Sequence, residues 1–161
     1  MGKKKFIALS IIMILIIVLL SILIINKKNK IEDNESAIFL EDKYYNKGEY
    51  IDASSSEIDN FIENKESFVV YTYNPYCTFK VSCDNIFENI MDKYNIGVLK
   101  IPFSDFKNTS LYNKVKYAPS IIIVSKGNII AYLDANSDDD YDKYQVKKEF
   151  DKWLRKYVNI K

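Results

Sequence analysis

The stretch SFVVYTYNPYCTFKVSCDNIFENIMDKY, residues 67–94, changes period partway along, and that change decides the fold. Ser67 to Tyr73 is rich in β-branched and aromatic residues and is bounded by Asn74-Pro75, which predicts a strand. From Cys77 onward the pattern turns helical. Cys83, Ile86, Phe87, Ile90, Met91 and Tyr94 recur at spacings of three and one, which makes one apolar stripe. Asn95 and Gly97 supply the residues that close such a helix.

The same alternation extends in both directions. Upstream, Tyr50-Ile51 reads as a short edge strand, and Ser54-x-x-Glu57 forms a capping box ahead of Ile58, Phe61 and Ile62 on one helical face. Downstream, Val98 to Ile101 is a strand, and Ser110 to Lys116 a short helix presenting Leu111, Tyr112 and Val115. Pro119 opens the apolar strand that ends at Val124, where its missing amide donor does least harm. Ser125 to Asn128 is a hairpin turn, and Ile129 to Leu133 is the returning strand. A C-terminal helix is expected to carry Val146, Phe150, Trp153, Leu154 and Tyr157 on one face. The order β-α-β-α-β-α-β-β-α, with its late hairpin, predicts an α/β domain with a mixed central sheet and helices on both faces.

The leader differs from everything after it. Among 161 residues, the first thirty hold six lysines and no acid, while residues 31–161 hold 17 basic and 22 acidic residues, a net charge of −5. Phe6 to Ile25 is free of charge, and a helix of that length spans roughly 30 Å, the thickness of a bilayer's hydrocarbon core. No small-residue cleavage pattern ends it, and no Cys stands near to carry a lipid. The organisation expected is a cytoplasmic tail at 1–5, an uncleaved transmembrane signal-anchor at 6–26, a polar tether at 27–48 and the α/β domain at 49–161. The short tail and free amino terminus favour an N-terminus left inside, so the domain faces outward from the cell membrane.

Composition excludes several chemistries. The chain has no His, which removes Ser/His and Cys/His nucleophile pairs and imidazole metal sites. None of the four Gly sits in a phosphate-binding loop, and the acidic domain has no basic stripe suited to nucleic acid. Two cysteines are too few for a disulfide scaffold or a four-thiolate zinc site. Asp138, Asp139, Asp140 and Asp142 lack the spacing of a calcium loop and are read as acids complementing the start of the last helix. No metal or cofactor is expected.

Three pieces together resemble the thioredoxin fold: Val69-Val70 leading into Tyr76-Cys77, the run Ile86 to Tyr94, and Ala118-Pro119-Ser-Ile-Ile-Ile-Val124-Ser-Lys-Gly127. The resemblance covers roughly residues 50 to 158. It implies that Cys77 occupies the position of the family's nucleophilic cysteine and Pro119 that of its cis-proline. Protein or peptide thiols and disulfides would then be the partners. The family's second thiol position holds Lys80 here, in Cys77-Thr-Phe-Lys80, and the buried acid many members carry falls at Tyr71. A competing alignment reads Asn74-Pro75-Tyr76-Cys77 as a Cys-Pro-Tyr-Cys site whose first thiol has become Asn.

The candidate catalytic residues are therefore Cys77, Cys83 and Pro119. If Cys77 and Cys83 lay on one regular helix, about 9 Å of rise would part their α-carbons, beyond the roughly 7 Å a disulfide spans. Cys83 also sits on the apolar stripe, which suits a small core residue. A helix starting near Ser82 would instead leave residues 77–83 as a loop whose ends can be bridged. Both readings stand at this point. So do two functions: thiol–disulfide exchange with Cys77 as nucleophile, and a redox-inactive adaptor of the same fold at the cell envelope.

Overall fold

Phe68, Val69, Val70, Tyr71 and Thr72 are each at most 2% exposed, so the strand that carries them is covered on both faces. The computed structural model describes residues 37–74 and 83–160, together with Met13. In chain order its first elements are β1 (Tyr50–Asp52), α1 (Ser55–Glu63), β2 (Phe68–Tyr73), α2 (Cys83–Tyr94) and β3 (Val98–Pro102). Then come α3 (Phe103–Phe106), β4 (Ser120–Ser125), β5 (Asn128–Tyr132), α4 (Tyr141–Gln145) and α5 (Lys147–Tyr157). The five strands form one sheet in the order β1-β3-β2-β4-β5. β3 runs parallel to both β1 and β2, while β4 pairs antiparallel with β2 and β5 antiparallel with β4. This is the mixed α/β sheet the sequence predicts.

Strand periodicity sorts the side chains. Tyr71 lies level with Lys100 on β3 and Ile121 on β4, and this face receives α2, whose Phe87 meets the Tyr71 ring edge-on at 5.3 Å. Phe87 also contacts Tyr144 of α4 and Phe150 of α5, so the C-terminal helices cover the same face. Phe68 points the other way and packs against Phe61 of α1.

Local signals explain most boundaries. Ser54 Oγ accepts from the Glu57 amide at 3.3 Å and Glu57 Oε2 accepts from the Ser54 amide at 2.8 Å, so the capping box is formed. Glu57 is accordingly held below the usual carboxylate range, chiefly by its hydrogen bonds to Ser54. Asn95 leaves α2 with φ 56°, a left-handed helix terminator. Lys126 and Gly127, at φ 48° and 78°, turn β4 into β5 with the twist a two-residue hairpin needs.

Three expectations are corrected. The tether drawn to residue 48 is too long, because the chain belongs to the folded unit from Ala37 onward. Leu40, Tyr44 and Tyr45 are buried, and Ile38 forms a parallel bridge to Val158, with its amide on Tyr157 O at 2.8 Å. Polar neighbours hide these three apolar side chains in the sequence. The C-terminal helix is broken: Val146 is extended (φ −124°, ψ 109°) and 44% exposed, and the buried stripe continues backward through Tyr144. The segment after β3 is α3 followed by a 3₁₀ turn at Ser110–Asn113, which still buries Leu111. The apolar run Phe6 to Ile25 and the site residue Cys77 lie outside the described residues, apart from Met13. Among the described residues no helix is long and apolar enough to cross a membrane.

Gly127 gives the fold a sensitive test. A β-carbon there would stand 2.5 Å from the Ile62 carbonyl oxygen, on a backbone of positive φ. Gly127→Ala is expected to cost about 2 kcal/mol, read as a lowered urea midpoint with an unchanged slope.

Candidate functional site

β2 ends at Tyr73, and the chain returns to the described residues at Cys83, the first residue of α2. The segment between them carries Cys77 and Lys80 and is outside the described residues. Its two flanks define the site. On the helix side, Cys83 is 3% exposed, and its sulfur lies 3.8 Å from Tyr71 Oη. The apolar stripe turns Cys83 toward the sheet, and Tyr71 stands beneath it because it shares the face of β2 that α2 covers.

On the strand side, β4 begins with Ser120 level with Thr72, so Pro119 sits where β2 runs out. The Ala118–Pro119 peptide is cis. Pro119 is buried, and its carbonyl accepts a hydrogen bond from Tyr144 Oη at 2.7 Å. Ser120 is fully buried, with its hydroxyl bonded to the Leu133 carbonyl at 2.7 Å. Ala118 is half-buried, and among the described residues its amide and carbonyl make no hydrogen bond. Cys83 and Pro119 are therefore brought to one end of the sheet through shared rings: Cys83 on Tyr71, Tyr71 on Phe87, Phe87 on Tyr144, and Tyr144 on Pro119.

Residues that sequence reasoning passed over complete this region. Lys100 Nζ lies 4.3 Å above the Tyr50 ring, 4.9 Å from Tyr73 and 5.7 Å from Tyr71, so its charge rests among three aromatic faces. Tyr50 and Tyr71 stack at 5.4 Å. Asp84 Oδ1 is buried with no hydrogen-bond partner among the described residues. The signal for Lys100 was its place on a β3 strand of otherwise apolar character, but only the parallel register with Tyr71 reveals what it faces.

Electrostatics keep these hydroxyls protonated. Burial holds Tyr71 well above the ordinary phenol range, with Cys83 and Asp84 adding to the effect. Tyr50 is raised first by burial and then by the charges of Asp84 and Glu88. Burial likewise raises Tyr144, against the opposing pull of Ser120. Tyr71 is thus a neutral group able to donate to, or accept from, the sulfur beside it.

No family model matches the sequence. No curated protein matches it either. Solved structures do resemble it. A mutant thioredoxin from Halobacterium salinarum aligns at 13% identity with a TM-score of 0.50, over 71% of this chain and 95% of that one. Thioredoxin from Schistosoma mansoni aligns at 14% identity with a TM-score of 0.48, over 69% and 97%. Oxidised thioredoxin from Plasmodium falciparum aligns at 16% identity with a TM-score of 0.44, over 63% and 96%. At its identity the halobacterial likeness shows the fold alone, and that fold is thioredoxin-like.

The buried phenols set an alkaline limit. The unfolded chain ionises its tyrosines near pH 10, whereas the folded chain holds Tyr50, Tyr71 and Tyr144 neutral to higher pH. Their contribution to stability is complete below about pH 10 and is lost as pH rises beyond it. Absorbance titration should show these tyrosines ionising only together with loss of the near-ultraviolet circular dichroism. Tyr71→Phe should move the unfolding midpoint to higher pH.

Proposed function

We propose that this chain is a membrane-anchored, extracytoplasmic thioredoxin-like protein of thiol–disulfide exchange, with Cys77 as its nucleophile. The observation that carries the reading is the convergence of Cys83 and Pro119 at the end of β2, from which the chain enters the segment bearing Cys77. The apolar run Phe6 to Ile25 supports the anchor, and its flanking lysines leave the outward orientation to the short tail.

In this reading Cys77 attacks one sulfur of a substrate disulfide as the thiolate. A bond forms between that sulfur and Cys77, and the substrate's other sulfur leaves as a thiolate that takes up a proton. Cys83 then gives up its proton and attacks the Cys77 sulfur. A Cys77–Cys83 disulfide forms, and the second substrate thiol is released. The substrate gains two electrons and the protein pair loses them; an external dithiol restores the pair. The same steps in reverse oxidise a substrate dithiol. The half-exposed Ala118 offers main-chain groups to an extended substrate beside this sulfur. Cys83 would make this second attack from a seat 3% exposed against Tyr71, and resolution is therefore expected to be the slower step.

A second reading, a redox-inactive adaptor, is favoured by the burial of Cys83 and by Tyr71 where the family carries an acid. The two separate experimentally in the full-length chain held in detergent. Exchange requires Cys77 to alkylate at pH 7 at least about tenfold faster than a free cysteine. It also requires Cys77→Ser to abolish turnover of a small disulfide, and Cys83→Ser to accumulate the mixed disulfide. Two slow thiols and no turnover would leave the adaptor. For orientation, a membrane-impermeant maleimide should label Cys77 in intact cells.

A further inference from the structure

β5 ends the sheet, and among the described residues no strand lies beyond it. Its sequence, Asn128-Ile-Ile-Ala-Tyr132, has neither the charge nor the proline with which exposed edges are ordinarily blunted. The one irregularity of the β4–β5 pairing falls between Ile123 and Val124, toward the hairpin turn, and leaves the far end regular. There the Leu133 amide donates to Ile121 O at 2.9 Å. Alternation along an antiparallel strand then turns the main-chain groups of Ala131 toward β4 and those of Tyr132 outward.

Beside this edge runs a groove of about 710 Å³, formed between β5 and α5. Trp153 and Tyr157 line it with aromatic surface, both half-buried. Lys114, Lys152 and Lys156 stand around it, Lys114 with its ammonium 5.9 Å from the Tyr132 ring. Of the two acids in the lining, Asp140 is already paired with Lys143 at 2.8 Å, which leaves Glu149 against three lysines. Residues 31–161 carry a net charge of −5, so this basic groove reverses the sign of the chain around it.

We propose that the outer edge of β5 is a strand-addition site for an extended acidic peptide. The peptide pairs its main chain with Tyr132, sets alternate side chains against Trp153 and Tyr157, and presents carboxylates to Lys114, Lys152 and Lys156. Main-chain pairing supplies affinity, and the lysines select the sign of the partner. The site includes neither cysteine nor Pro119, so it stands or falls apart from the exchange chemistry.

The test titrates the full-length chain in detergent with a fluorescein-labelled peptide of alternating Glu and Val, followed by anisotropy. Binding is expected, weakened by added salt. The Lys152→Glu/Lys156→Glu double variant should lose about tenfold or more in affinity, with an unchanged circular dichroism spectrum. Methylating alternate amides on one edge of the peptide should abolish binding, because strand pairing needs those donors. Equal binding of the methylated peptide, equal binding of a Lys/Val peptide, or indifference to the charge reversal would each overturn the proposal. Concentration-dependent dimerisation competing with the peptide would also overturn it, by making a second copy of the chain the occupant.

Discussion

The arrangement depends on one strand that meets water on neither face. From Phe68 to Thr72 every side chain of β2 is buried, so its backbone amides and carbonyls must be satisfied by β3 on one side and β4 on the other. That obligation fixes the register of both neighbours. Register then decides what stands together: Tyr71 level with Lys100 and Ile121, and Thr72 level with Ser120. A slip of one residue would carry Tyr71 to the α1 face, away from Cys83, and would set Pro119 beside a different part of β2.

The candidate site inherits an unusual chemistry from this strand. Where a buried carboxylate would share a proton with a nearby sulfur, Tyr71 places a phenol that stays neutral across the physiological range. A neutral hydroxyl steadies a sulfur in either protonation state but takes no proton from it. The charge available on that face comes from Lys100, spread across three rings, and from Asp84 at the start of α2. An ammonium over aromatic faces is drawn to the negative face of each ring, so Lys100 ties Tyr50, Tyr71 and Tyr73 together beneath α2.

Much of the fold could be read locally, and the reasons are visible in particular residues. The Ser54/Glu57 box, the Asn95 terminator and the Lys126-Gly127 turn each depend on a few neighbouring residues, so the sequence contains all that is needed. The stripe from Cys83 to Met91 is likewise complete within one helix, and Cys83 lies on its buried side. What escaped was decided by distant partners. Leu40, Tyr44 and Tyr45 are buried by β2, α2 and the chain's end, none of which a window around residue 40 contains. Val146 continues a helical period on paper, yet the chain turns extended there, and Tyr144 on the turn before it donates to the Pro119 carbonyl. For the site, Pro119 could be placed only by resemblance, and the three rings joining it to Cys83 come from three elements separated along the chain.

The arm at residues 37–45 also determines how tension travels through the molecule. Ile38 donates to Tyr157 and accepts from Asn159, while the Tyr45 hydroxyl donates to the Asn159 carbonyl at 2.9 Å. A tug on the chain ahead of Ala37 meets this clasp before it meets the sheet. The arm and the last residues of the chain thus hold one another, and the arm reaches the entry to β2 where the Glu41 amide donates to the Ser67 carbonyl at 3.0 Å.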